Sequence, residues 1–185
     1  MKIKALIAVR SGSTRVLNKN MRPFAGKNLL QIKIEQLLRI PELDGVVVNS
    51  NDDEMLKLAA SFGCETVKRD QYYASNSVSM SEVYRNMAEQ MDTDVIVYAN
   101  ATNPLLEDLT ISKAITEFVE NDGRYDSLNS AHLIKEFLFK ESLPINYDLR
   151  NQPRSQDLPD IAALNFAVNI LHKNTTVSYT HLRAH

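Results

Sequence analysis

Short apolar runs alternate along the chain with segments of helical period. Ile3-Lys-Ala-Leu-Ile-Ala-Val9 is almost continuously apolar, the mark of a strand buried on both faces. Gly45-Val-Val-Val48 and Asp94-Val-Ile-Val-Tyr98 repeat it, and Cys64-Glu-Thr-Val67 is a shorter candidate. Asp126 to Ala131 and Ala162 to Leu171 complete the set, the last interrupted by Asn165 and Asn169. Between the runs, apolar residues recur at helical spacing. Leu29 to Arg39 carries them at 30, 34, 37 and 38, and Pro41 stops it. Met55, Leu58, Ala59 and Phe62 form a second face, with Asn51 as the expected N-cap, three acidic residues in the first turn, and Gly63 at the end. Ser79-x-x-Glu82 has the capping-box pattern and opens a helix whose buried face is Met80, Val83, Tyr84, Met87, Ala88 and Met91. Asp108 to Glu120 carries Ile111, Ala114, Ile115 and Phe118, and Gly123 closes it.

Strands alternating with helices predict a three-layer α/β/α fold around a mainly parallel sheet with right-handed crossovers. From His132 to Pro159 the pattern weakens. Pro144, Pro153 and Pro159 mark this part as an excursion from the sheet. The methionine stripe suits a groove for variable partners as well as a packed core, and its spacing favours the core.

Composition adds bounds. The 185 residues suit one domain with a sizeable core, and 44% are apolar. The formal charge of −2 points to neither nucleic acid nor an anionic membrane, so an anion site has to be a local patch. A lone cysteine, Cys64, excludes an internal disulfide and a cysteine-cluster metal site, and fits a reducing compartment. With no secretory signal and no apolar run long enough to span a bilayer, the expectation is a cytoplasmic protein.

One local patch stands out. Arg10-Ser-Gly-Ser-Thr-Arg15-Val-Leu-Asn-Lys19-Asn20 leaves the end of the first strand with three cations, two serines and a threonine. Ligands of open α/β sheets bind outside the strand C-termini. A polyanion suits such a loop, because amides approach it closely at Gly12 and the cations supply countercharge. A solvated basic surface loop remains the alternative. The loop lacks both Gly-x-x-x-x-Gly-Lys-Ser/Thr and Gly-x-Gly-x-x-Gly, which disfavours the two commonest strand-first nucleotide folds. No Gly-x-Ser-x-Gly elbow occurs, the four histidines have no metal-ligand spacing, and Cys64 has no visible activator.

The stretch from Arg10 through Leu30 resembles the N-terminal signature of the acylneuraminate cytidylyltransferases, the CMP–sialic acid synthetases. That signature runs Ala-Arg-x-Gly-Ser-Lys-Arg-Ile-Pro-x-Lys-Asn-x-Arg, then Gly-Lys-Pro-Leu-Leu. Val47 to Asp53 is similar to the family's second strand and its Ser-Thr-Asp-Asp turn. Arg69 to Ser79 resembles its Arg-Pro…Ala-Ser-Asp-Thr-Ala-Ser stretch, and Gln152 to Pro159 its Arg-Gln-x-Leu-Pro element. Asn165-Phe-Ala-Val stands where the family has Asn-Gly-Ala-Ile. The chain departs from the pattern at Thr14 (usually lysine) and Leu17 (usually proline). Asn100 and Leu106 stand where the family has glutamine and arginine.

The resemblance implies a Rossmann-like nucleotide-diphospho-sugar transferase fold in residues 1–177, forming a homodimer through the 132–159 excursion. It implies CMP transfer from CTP to an acidic sugar, N-acetylneuraminate or a related nonulosonate, with release of pyrophosphate. Arg10 and Lys19 would be catalytic. Ser11, Gly12, Ser13, Arg15, Asn20, Arg69 and Ser79 would bind nucleotide. Asn100, Thr102, Arg154 and Gln156 would face the acceptor, with Arg154 on its carboxylate. Mg²⁺ would bridge the phosphates. Structural roles stand beside these: a helix cap for Ser79, turn contacts for Asn100 and Thr102, and a surface position for Arg154. Asp52 and Asp53 read as helix-start residues, so no metal ligand is assigned. The family's later Asp-x-Asp metal element has no counterpart here. The chain is therefore expected to be truncated, with residues 178–185 a foreign tail. Alternatives are a Kdo- or legionaminate-type acceptor, or a non-catalytic nucleotide-binding fragment.

Overall fold

The apolar runs become the strands of one twisted sheet. The computed structural model describes residues 1–13 and 16–178. In chain order the elements are β1 (Ile3–Ala8), β2 (Pro23–Phe24), β3 (Lys27–Asn28), α1 (Leu29–Leu37), β4 (Gly45–Ser50), α2 (Asp53–Ser61), β5 (Glu65–Lys68), α3 (Gln71–Ala74), α4 (Met80–Glu89), β6 (Val95–Ala99), α5 (Asp108–Glu120), β7 (Ser127–Ile134), β8 (Phe139–Lys140), β9 (Leu143–Pro144), β10 (Ile161–His172) and α6 (Lys173–Ser178). The main sheet has the order β5-β4-β1-β6-β10-β7. β5, β4, β1 and β6 are parallel, with Leu6 opposite both Val47 and Tyr98, and β10 runs antiparallel to β6. The expected three-layer, mainly parallel architecture is thus present, with one antiparallel strand that the alternation of elements did not signal.

Side chains alternate across the sheet. Ala5, Ile7, Val46, Val48, Val95 and Val97 face one way, onto Leu30, Ile34 and Leu37 of α1, Met55 and Ala59 of α2, and Ile111, Ile115 and Phe118 of α5. Leu6, Val47 and Ile96 face the other way, onto Val83, Met87, Ala88 and Met91. The methionine stripe is therefore core packing. Met80 departs from the expected face: in the first position of α4 it is 58% exposed.

Two boundaries are corrected. The cap of α2 is Asp52, whose carboxylate accepts from Glu54 N at 2.9 Å and Met55 N at 3.2 Å, in place of the expected Asn51. A carboxylate gains from the helix dipole, and Asn51 is left for a bridging role. β5 is Glu65–Lys68, one residue later than Cys64–Val67, because Cys64 N still bonds back to Ala59 O at the end of α2.

The chain divides into two compact units, Met1–Asn129 with Ala167–His185, and Ser130–Phe166. The second contains the 132–159 excursion. It holds the β8–β9 hairpin and a 3₁₀ turn at Ser155–Asp157, and Asn146 ties its turn together by accepting from Leu138 N and donating to Glu136 O, both at 2.9 Å. Phe166 has φ +52, a left-handed conformation that costs a non-glycine residue roughly 1 kcal/mol. It occupies the position where the resembled motif has glycine. Among the described residues no helix is long and apolar enough to cross a membrane.

Candidate functional site

The first unit concentrates polar and cationic groups at the C-terminal ends of β1, β4 and β5. Three hydrogen bonds fix Arg10, which follows β1. Its guanidinium donates to Ala74 O, to Ser75 O at 3.2 Å and to Asn76 Oδ1 at 2.6 Å. It thereby holds the polar segment after α3. Asn51, just past β4, accepts from Ser11 N at 3.0 Å, and its amide nitrogen donates to Ser11 Oγ at 3.0 Å and Gln71 Oε1 at 3.3 Å. A side-chain amide accepts through its oxygen while its two N–H groups donate. Gly12 follows with φ +83, and a Cβ there would meet no atom within 4 Å. The glycine serves the backbone conformation and leaves the space above the loop open.

Arg69 is the second guanidinium of the cluster and is 5% exposed. Its Nε donates to Asn49 Oδ1 at 2.5 Å, and Nη2 donates to Asn49 O at 3.2 Å, with Met87 Sδ at 3.4 Å. Burial, and then the neighbouring charge of Arg10, draw its pKa down to about 10, so it stays cationic at neutral pH. Neither Arg10 nor Arg69 makes an ion pair among the described residues. Two adjacent guanidiniums, one of them buried without a carboxylate, carry an uncompensated charge that an anionic ligand would neutralise.

The other expected residues are distributed as follows. Ser11 and Ser13 are half-buried in the loop. Lys19 lies in the turn after it, where Met21 N and Arg22 N bond to Asn18 O, and it too makes no ion pair among the described residues. Asn20 is buried, and its carbonyl accepts from Leu30 N at 3.1 Å, tying the loop to the start of α1. Arg15 and Thr14 lie outside the described residues, as does the tail from 179 onward; Ser178 ends α6. Ser79 caps α4, accepting from Glu82 N at 3.3 Å. Glu82 does not return the bond of a capping box and instead accepts from Tyr72 Oη at 3.1 Å. Ser79 also borders a cavity of about 540 Å³ lined by Tyr73, Ser81, Glu82, Arg85, Asn86 and Glu89, to which no described residue of the basic loop contributes.

Asn100 and Thr102 are exposed just past the end of β6, on either side of the buried Ala101. Arg154 and Gln156 belong to the second unit. There the Arg154 guanidinium grips Asp157 through Nε at 2.7 Å and Nη2 at 3.2 Å, so in this structure a carboxylate of the chain occupies it.

Mg²⁺ at a nucleotide takes one or two carboxylates and the phosphates, not an all-protein cage. Among the described residues no group of three or more His, Cys, Asp or Glu side chains could hold a metal ion. Asp52 and Asp70, the carboxylates flanking the cluster in sequence, are spent on helix caps. The Cys64 thiol is buried and its pKa is pushed up to about 11, so it is no nucleophile at neutral pH.

Asn49 and Asn76 have no site role in the sequence reading, and Asn51 appears there only as a helix cap. One signal was available: Asn49 closes the apolar run of β4, where a polar side chain is only 1% exposed and needs a partner.

Comparison with known proteins gives a consistent picture. A family model described as Cytidylyltransferase matches residues 4–158. The pseudaminic acid cytidylyltransferase of Campylobacter jejuni is 30% identical over 131 residues, 68% of this chain and 56% of that protein. N-acylneuraminate cytidylyltransferase A of Danio rerio is 29% identical over 164 residues, 84% of this chain and 38% of its own length. The chain thus spans about half the length of the curated relatives it matches. A CMP:2-keto-3-deoxy-manno-octonic acid synthetase solved with CTP superposes with a TM-score of 0.75 at 12% identity, covering 100% of this chain and 80% of that one, which shows a shared fold.

Proposed function

Because the chain belongs to the cytidylyltransferase family, we propose that it transfers CMP from CTP to an acidic sugar and releases pyrophosphate. The observation that carries this is the pair of guanidiniums, Arg10 and buried Arg69, without an ion-pair partner among the described residues, at the C-terminal edge of a parallel sheet. In the reaction the sugar's anomeric oxygen attacks the α-phosphorus and the bond to the pyrophosphate oxygen breaks. The hydroxyl proton leaves to solvent or base. Charge shifts onto the leaving group, so catalysis consists mainly of positioning and countercharge.

In this reading Arg10, Lys19 and Arg15 meet the triphosphate, while Ser11, Ser13 and the Gly12 amide bind its oxygens. Asn20 and Ser79 hold the nucleoside end, and the Arg69 charge, beside Arg10, serves the phosphates. Asn100 and Thr102 face the acceptor. The described residues build no cage for Mg²⁺, and these roles rest on the chain's own cations and amides.

The acceptor is a nine-carbon acidic sugar or an eight-carbon relative. Asn100 and Leu106, in place of the glutamine and arginine of the resembled motif, favour an acid other than N-acetylneuraminate. Pyrophosphate release with CTP against N-acetylneuraminate, pseudaminic acid and Kdo tests the proposal. Release with one acid and not the others is expected. CTP binding with no release on any acid contradicts it and leaves a nucleotide-binding fragment.

The second unit exposes Leu133, Phe139, Leu143, Ile145 and Leu149 within 37 residues, an apolar surface suited to a second copy of this chain. Sedimentation equilibrium is expected to give a dimer that Leu133→Asp with Leu143→Asp dissociates. A wild-type monomer at micromolar concentration overturns this.

A further inference from the structure

One charged side chain of the first unit lies outside the roles above. Lys33, on α1, is 0% exposed. Its Nζ donates to Gln36 Oε1 at 2.5 Å and to Asn103 O at 3.0 Å, and it makes no ion pair among the described residues. Gln36 donates in turn to Leu106 O and, at 3.0 Å, to Asp108 Oδ1. One helical turn on, Arg39 grips the same Asp108 through Nε at 2.8 Å and Nη2 at 3.0 Å.

Lys33 and Gln36, three residues apart, share one face of α1 and reach the segment between β6 and α5 that carries Asn100 and Thr102. Arg39, just past the helix, holds the start of α5. Ala101 and Leu106 pack on the core, and the backbone between them is loosely tied. Asn103 N and Leu106 N make turn bonds of 3.2 and 3.4 Å, the Glu107 side chain does not cap α5, and Leu105 is 90% exposed. A buried ammonium is costly, and an apolar residue of similar length would fill the same space. Its retention under this loop calls for a use.

We propose that Lys33, aided by Gln36, is a positioning residue: it fixes the β6–α5 loop from beneath in the form that presents Asn100 and Thr102, and so sets affinity for the acidic sugar and not for CTP. This rests on the reading of that loop as acceptor-facing. Lys33 draws on no other strong countercharge, since Asp108, already held by Arg39 and Gln36, is the acidic group that acts on it. Its hydrogen bond to Asn103 O therefore dominates its hold on the loop. Loss of one charge-assisted hydrogen bond corresponds to roughly a tenfold change in an equilibrium.

Lys33→Met keeps the buried stem and removes the donor. Hydrogen exchange of the 101–107 amides is expected to speed up about tenfold in this variant, with the β1 and β4 amides unchanged. With the acid that the wild type turns over, KM for the acid is expected to rise roughly tenfold while KM for CTP stays within about twofold. Unchanged exchange in 101–107, an unchanged acceptor KM, or equal rises in both KM values overturns the proposal. If Lys33→Met does not fold, Gln36→Met removes the Leu106 anchor and is judged by the same readouts. Should the wild type turn over none of the three acids, the functional reading falls, while the exchange data still decide whether Lys33 holds the loop.

Discussion

Arg69→Met is expected to weaken CTP binding on the order of a hundredfold while moving the stability of the unliganded chain by no more than about 1 kcal/mol. The two effects separate because the guanidinium is poorly matched to the empty structure. It is 5% exposed, its pKa is lowered by burial and by Arg10, and its bonds go to the side chain and carbonyl of Asn49. Removing it strands Asn49 Oδ1, which costs about 1–3 kcal/mol. It also relieves a buried charge that lacks a carboxylate, which offsets much of that loss. A triphosphate feels only the loss. Isothermal titration with CTP and urea unfolding of both forms check this. Equal CTP affinity in the variant would sink the assignment of the cluster as the anion site.

Lys33 gives a second large effect, in the pH dependence of stability. Burial is the main cause of its lowered pKa, which falls from 10.5 to about 8. Below pH 8 both folded and unfolded chains hold the proton, and the cost of the buried charge is constant. Between pH 8 and 10.5 the unfolded chain binds more protons than the folded one, so stability contributed at this position rises with pH. The rise is on the order of 3 kcal/mol. The difference in unfolding free energy between the wild type and Lys33→Met is expected to be flat from pH 6 to 8 and to shift toward the wild type by that amount up to pH 10.5. A difference that stays flat across the whole range contradicts a buried, protonated Lys33.

Periodicity made most of the fold legible, because burial is what the pattern records. The α5 limits, Asp108–Glu120, follow directly from the spacing of Ile111, Ile115 and Phe118. What the pattern could not carry was direction and chemistry. β10 is apolar like its neighbours, and only its pairing with β6 shows it to be antiparallel. Met80 has the spacing of the buried face and the exposure of a helix start. In the site, Arg10, Ser11 and Gly12 are conspicuous as a basic loop after a strand. Asn49 and Asn51 are not, since asparagine near a helix start reads as a cap until the structure shows Asp52 in that place. Lys33 was hidden for the opposite reason: a lysine in an amphipathic helix is normally solvated, and no local signal tells that this one reaches Asn103 O beneath a loop seventy residues away.

The central claim is that the basic cluster directs attack on the α-phosphorus of CTP by an acidic sugar. ³¹P NMR of the chain with CTP, Mg²⁺ and each of the three acids follows the reacting atom itself. With one of the acids, the CTP signals are expected to give way to one phosphodiester resonance and pyrophosphate in equal amounts. CTP left intact with every acid, or consumed to orthophosphate and CDP, would contradict it.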